Sequence, residues 1–334
     1  MRILAARPYR LGVGGPCQKN QGGSQEALSD THRGRHCIRV GVPRRRAYVT
    51  LAPMGPPETA ASEAHQREIA SGERFEFGRN WAQFLKLLNE DRIRAAEKSL
   101  REMLEVDDLY GKAFLDAGSG SGLFSLAARR LGARVHSFDF DPNSVACTRE
   151  LRRRFFPDDP EWTVDEASVL DEAYLCTLGT FDVVYSWGVL HHTGSMWNAL
   201  GNVAPLVRES GKLFIAIYND QGKISRRWLA VKRMYNRTSG VARGAVLGGS
   251  FLVLWWRPIV KDFVRLRPFY SLRTYGSDRG MSAWRDVVDW VGGYPFEVAT
   301  PEKIFDFYRA RGFTLTKLAT CGGTLGCNQF VFRK

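Results

Sequence analysis

Cysteine is scarce in this sequence and nowhere paired. Cys17, Cys37, Cys147, Cys176, Cys321 and Cys327 include no CxxC spacing, which speaks against a zinc site. Cys321 and Cys327, in CGGTLGC, read as buried thiols of a reducing compartment rather than as a redox pair. Long apolar runs are also missing. The most apolar stretch, residues 245–256, is well short of the roughly 20 residues needed to cross a bilayer. The opening MRILAARPYRLGVGGPC has no continuous apolar core, so a secretory signal is not expected. No internal repeat is visible, which argues against a solenoid.

Acids are sparse in two places, so the charge is local. The formal net charge is +13, yet residues 1–62 hold ten Arg/Lys against Glu26, Asp30 and Glu58. That tail is rich in Gly, Pro and Arg, lacks hydrophobic periodicity and is expected to be disordered. It reads either as a transit peptide or, given Met54, as upstream sequence in which residues 1–53 are foreign to the native protein. Residues 223–273 hold twelve basic residues against the single acid Asp262. The rest of the body is mildly acidic, so the basicity is a patch rather than a uniform property.

What the chain does have is alternation. Phe84, Leu85, Leu88, Ile93, Ala96, Leu100 and Leu104 recur at helical spacing and predict amphipathic helices in residues 63–110. Short apolar runs then alternate with helical stretches, as in a parallel sheet with crossover helices. Strands are predicted at 113–118, 134–140, 161–167, 181–187 and 212–218. A helix over 301–312 precedes two strands, TLTKLAT and NQFVFR, expected to close the sheet antiparallel. The predicted fold class is α/β, a Rossmann-like seven-stranded sheet with its core at 111–218 completed by 296–334. The 63–110 segment would be a helical lid, and 219–295 a basic, aromatic helical cap inserted after the fifth strand.

The segment Asp116-Ala-Gly118-Ser119-Gly120-Ser-Gly122 follows the first predicted strand and opens a helix. Glycines there permit a tight turn and let a ligand lie against bare backbone, while the helix offers unpaired amides. A nicotinamide fingerprint reads G-x-G-x-x-G, whereas here an acid stands two residues before the first glycine. A carboxylate repels pyrophosphate and attracts a sulfonium or an ammonium group. Asp139, at the end of the second strand, stands where such folds place an acid on ribose hydroxyls. Phe140 beside it is a candidate for packing on an adenine face.

These residues carry a resemblance. FLDAGSGSGLFSLAARRLGARVHSFDFDPNSV, followed by FDVVYSWGVLHHTG, resembles the class I S-adenosylmethionine-dependent methyltransferases of the type 11 and 12 groups, relatives of the ubiquinone-biosynthesis O-methyltransferases. The likeness covers 111–218 by motif and 296–334 by strand order. It implies S-adenosylmethionine as cofactor, with Gly118, Gly120 and Gly122 around its methionyl part, Asp139 at its ribose and the end of the third strand at its adenine. Many relatives have a Gly-Asp pair at that strand end. This chain has Ala167-Ser168, so Ser168, the backbone around Val169, or Asp171 would stand in.

The run from Ser186 to His192 lies where this fold opens its strand ends to ligand. Gly188 would let the methionyl group approach the backbone. His191 or His192 is a candidate general base near neutral pH, or the pair only caps and orients the next helix. Tyr218 and Asn219, ending the fifth strand, and Tyr294, in a Gly-Gly-Tyr-Pro turn, are candidate acceptor contacts. Phe75, Phe77, Arg79 and Trp81 would form a closing lid, with Arg79 the candidate for the methionyl carboxylate. No metal is required.

In the cap, aromatics alternate with arginines, and three readings stay open: inward-packed aromatics, peripheral membrane contact through 223–273, or contact with nucleic acid. The reading adopted is an S-adenosylmethionine-dependent methyltransferase acting at O, N or C of a small or lipophilic acceptor. The alternatives are an RNA or protein methyltransferase using residues 223–273, and a non-catalytic S-adenosylmethionine-binding scaffold or membrane adaptor. The expected location is cytoplasmic, peripheral to the membrane should the cap dock there.

Overall fold

The computed structural model describes residues 60–334 except 79–80, 82–84, 86–87 and 280–282. Residues 1–59 of the basic tail, and Arg79, lie outside the described residues. Seven strands form one sheet: β1 (Ala113–Ala117), β2 (Arg134–Asp139), β3 (Trp162–Glu166), β4 (Phe181–Trp187), β5 (Val207–Tyr218), β6 (Thr314–Ala319) and β7 (Cys327–Arg333). Their order is β3-β2-β1-β4-β5-β7-β6. The first five pair in parallel. The sequence placed the last two strands antiparallel, and β7 is the reversed one. It pairs antiparallel with both β5 and β6, so β6 recovers the direction of the rest.

Alternation across the pleat splits the core into two layers. Leu115, Val184, Leu213 and Phe332 stand in register across four strands on one face. That face packs on α6 (Met196–Val203) and α11 (Pro301–Arg309) through Leu200, Val203, Ile304 and Tyr308. Tyr185, Phe214 and Val331 line the other face, again in register. It is covered by α2 (Glu90–Leu104), α3 (Leu123–Arg130) and α4 (Pro142–Phe155). The short α1 (Ala60–Ala70) precedes α2, and α5 (Glu172–Thr177) follows β3.

Some helices start on a side-chain cap. Asn89 accepts from the Arg92 amide, Asp141 from Asn143 with Pro142 in the first turn, and Thr300 from Lys303 ahead of Pro301. Gly122 heads α3 with no side-chain cap of its own, and the Ser125 amide in the first turn meets the Asp116 carboxylate instead.

Between β5 and α11 the described residues form four helices: α7 (Lys223–Arg237), α8 (Gly240–Val264), α9 (Tyr270–Arg279) and α10 (Ala283–Gly292). They have an apolar cluster of their own, including Trp228, Leu247, Leu254, Trp255, Trp290 and Phe296, with Phe75 and Tyr218 packed against it. That contact joins the insertion to the end of β5 and to the residues after α1. No described helix is long and apolar enough to cross a membrane.

Candidate active site

The carboxyl ends of β1, β2, β4 and β5 open onto a cavity of about 390 Å³. Its floor is bare backbone. Gly118 turns away from β1 at φ 88°, and a Cβ there would lie 2.3 Å from Val189 Cγ1. At Gly122 a Cβ would come within 2.8 Å of the Thr148 backbone. Both positions also have left-handed dihedrals that disfavour any other residue.

Two carboxylates flank this floor. Asp116 is buried and accepts from Ser125 Oγ at 2.5 Å. Ser125 accepts from Ser137 Oγ, which accepts from Trp162 Nε1. This donor chain across β1, β2 and β3 fixes the Asp116 side chain without neutralising it. Burial pushes its pKa up to about 7, against the Ser125 bond and with a contribution from the nearby Asp139 charge. Asp139 accepts the Gly120 amide at 2.8 Å and the Asp141 amide at 2.9 Å, clamping the glycine loop to the end of β2. Loss of water raises it to about 6 despite those amides.

After β4, Gly188 at φ 78° leads into a single tight turn, Leu190–His192. His192 lines the cavity, and its Nδ1 lies 2.5 Å from the Pro295 carbonyl. A carbonyl only accepts, so Nδ1 carries the proton and Nε2 keeps the lone pair. Burial lowers its pKa to about 3 against the Pro295 bond, with the Lys232 and Arg74 charges adding to the effect. His192 is thus a neutral imidazole at ordinary pH. His191 is fully buried and is not part of the cavity lining. Its ring lies 4.0 Å from that of Tyr218, and its Nδ1 faces the Tyr218 amide at 3.4 Å. It forms a wedge beneath Tyr218, which lines the cavity and meets Trp290 and Phe296.

A model of the methyltransferase-domain family matches residues 88–274, more than half of the chain. The chain belongs to this family. Its S-adenosylmethionine-dependent, class I character follows from that match together with the Rossmann-like sheet. The chain is 31% identical over 117 residues to the ubiquinone biosynthesis O-methyltransferases of Escherichia coli (strain K12 / DH10B) and Shigella boydii serotype 18, covering 34% of this chain and 46% of each relative. It therefore spans about half the length of the curated relatives it matches. Among solved structures it is similar to magnesium protoporphyrin IX methyltransferase from Synechocystis PCC 6803 with bound S-adenosylhomocysteine, with TM-score 0.44, 13% identity and coverage of 72% and 83% of the two chains. It is also similar to 1,6-didemethyltoxoflavin-N1-methyltransferase from Burkholderia thailandensis, with TM-score 0.43, 15% identity and coverage of 85% and 94%.

The cavity of this methyltransferase fits S-adenosylmethionine on its own chemistry. The Tyr185 hydroxyl is buried without a hydrogen-bond partner at the cavity wall, in register beside Asp116. A methionyl ammonium or carboxylate would satisfy it there. The Gly118–Gly120 backbone would lie along the methionyl part, and Asp139 would face the ribose hydroxyls. Ser168 and Val169 line the far end, although the Ser168 hydroxyl already accepts from its own turn at the Leu170 amide. Asp171 caps α5 through the Tyr174 amide instead of joining the lining. Phe140 lines the cavity between Arg74, 4.9 Å over its ring, and the edge of His65.

The other positions singled out in the sequence divide between the lining and its surroundings. Ser119 and Gly188 line the cavity, while Gly122 shapes the loop from outside the lining. Asn219 accepts from Asn328 and ties β5 to β7. The Tyr294 carbonyl accepts the Phe75 amide, and its hydroxyl receives Arg233 Nε. Phe75, Phe77 and Trp81 line the cavity. The sequence reading passed over Asp286 and Asp289 of α10, which also reach it. Their spacing of three on an apolar helix was the available signal, since i and i+3 share a face. Arg74, which donates to the His192 carbonyl at 3.1 Å, had no such signal.

Proposed function

We propose that this methyltransferase passes the methyl group of S-adenosylmethionine to a small, largely apolar acceptor seated between the donor and α10. The observation that carries this reading is the continuity of the cavity. It runs from the glycine loop past Trp187 and His192 to Tyr218, Phe75 and Phe77, with Asp286 and Asp289 on the α10 side. Aromatic walls with a few convergent polar groups suit a compact apolar ligand. The matched relatives named for ubiquinone biosynthesis support a lipophilic phenol as the type of acceptor.

The bound donor supplies an electrophilic methyl on a sulfonium, so the protein's part is positioning, exclusion of water and handling of one proton. His192 accepts the acceptor's O–H or N–H at Nε2 and so aims the attacking lone pair. With a pKa near 3, it orients the nucleophile better than it stores a proton. Asp286 and Asp289 put negative charge on the α10 side of the cavity, and the acceptor's proton passes to solvent as the new bond to methyl forms.

Transfer of labelled methyl from S-adenosylmethionine into a cell extract, followed by fractionation, tests this. Label in the organic-extractable small-molecule fraction, lost with His192→Ala, is the expected result. Label in RNA or protein would overturn the acceptor class. Donor binding with no transfer to any fraction would overturn the enzymatic reading.

A further inference from the structure

The insertion has a surface that methyl transfer does not use. One side of α8 is buried through Leu247, Ser250, Leu254 and Trp255. The opposite side leaves large apolar residues in solvent: Val253 is 63% exposed, Trp256 52% and Phe263 51%. Leu252, Val260 and Val264 are exposed with them. At 100° per residue these six positions fall within an arc of about 120°, a stripe as wide as helices usually bury. Arg257 and Lys261 come next around the helix, both exposed, and Arg265 and Arg267 follow at its end. The only acid in residues 223–273 is turned inward, where Asp262 accepts from the amide and hydroxyl of Ser271.

We infer that this face of α8 docks on an anionic lipid bilayer. An apolar stripe edged by cations, with Trp256 at its centre, matches an interface that presents acyl chains beneath negative headgroups. The charge pattern argues against other occupants. A second copy of the chain would bring like cations face to face, and nucleic acid would leave Leu252, Val253, Val260 and Val264 covered by nothing apolar. The helix lies on the bilayer rather than across it, since Arg257 and Lys261 interrupt its apolar length. Because α8 packs on α10, docking would hold the Asp286 and Asp289 side of the cavity close to the lipid surface. The inference stands whether or not the acceptor is lipophilic.

Co-sedimentation of the full chain with phosphatidylcholine vesicles, with and without phosphatidylglycerol, tests it. Pelleting should require phosphatidylglycerol. Arg257→Gln with Lys261→Gln should reduce partitioning roughly thirtyfold, from the usual contribution of two basic residues at an anionic surface. Val253→Asp with Phe263→Asp should abolish it, while the thermal shift given by S-adenosylhomocysteine stays as in the unmodified chain. If the aspartate pair disturbs that shift, the glutamine pair still decides. The basic tail is present in every variant, so unchanged pelleting of the glutamine pair would assign binding to the tail and overturn the inference. Pelleting indifferent to phosphatidylglycerol would overturn it too, as would loss of a dimer in the aspartate pair or binding of polyuridylate in place of vesicles.

Discussion

His192 donates its Nδ1 proton to the Pro295 carbonyl across 2.5 Å, joining the turn after β4 to the last residues of the helical insertion. The bond sets the tautomer, and so leaves Nε2 as an acceptor at the cavity wall. The insertion thereby fixes the state of a core side chain 103 positions away in sequence.

His192→Ala removes that acceptor without touching the glycine loop. Its kcat should fall about a hundredfold or more, while S-adenosylhomocysteine affinity stays close to that of the unmodified chain. Initial rates and calorimetry on the same preparation separate the two effects. Equal losses in both would make His192 a structural residue of the donor site.

Gly118→Ala tests the loop. The new methyl would meet Val189 Cγ1 at 2.3 Å in a left-handed backbone. A cost of about 2–4 kcal/mol is expected, part from overpacking and part from the dihedral. Val189→Ala in the same chain should recover only part of that cost in urea unfolding, because the Val189 Cβ stays 2.8 Å from the new methyl and the dihedral is unchanged. Complete recovery would mean that the dihedral imposes no constraint.

Asp116 gives opposite pH signs with and without ligand. With its pKa at about 7, a cationic methionyl group favours the ionised form, so S-adenosylmethionine affinity should fall by up to about tenfold per unit as pH drops below about 7. In the free chain the raised value means that the folded state holds the proton more tightly. The stability it contributes is complete below the ordinary value of 3.8 and is lost as pH rises through about 7. Asp116→Asn should make both dependences shallower and remove the part centred near 7, leaving what Asp139, raised to about 6, contributes, as measured by calorimetry and by thermal unfolding over the same pH series. Slopes unchanged from the unmodified chain would assign the titration to another group.

The parallel core was legible because each strand is a short apolar run closed by a turn, and because the glycine loop sits directly between a strand and a helix. Asp139 could be placed by counting strands. The roles of the two adjacent histidines could not be separated, since both sit in one turn and only the return of the insertion at Pro295 distinguishes them. The chain from Trp162 through Ser137 and Ser125 to Asp116 was equally hidden, because two serines inside apolar segments resemble any small buried residue. Tyr294 and Asn219 stand near the site in sequence but outside the cavity lining, where the Tyr294 hydroxyl receives Arg233 Nε and the Asn219 side-chain oxygen accepts from Asn328.

Lys232 is fully buried, donates to the Trp290 carbonyl, and lies over the rings of Trp290 and Phe296 at 4.3 Å and 4.7 Å. Burial lowers its pKa well below 10.5. The unfolded chain then binds that proton more tightly, so stability should rise with pH over the interval leading up to 10.5. Lys232→Met should remove this slope and stabilise the chain at neutral pH by about 1–4 kcal/mol. Destabilisation instead would show that the ammonium's contacts with the carbonyl and the two rings outweigh its desolvation.

Calorimetric titration of the purified chain and of its Asp139→Ala variant with S-adenosylmethionine and S-adenosylhomocysteine tests the central claim most directly. The account predicts one-to-one binding of both compounds, weakened at least tenfold in the variant by loss of charge-assisted hydrogen bonds. Absence of heat with either compound, or equal affinity in the variant, would contradict it.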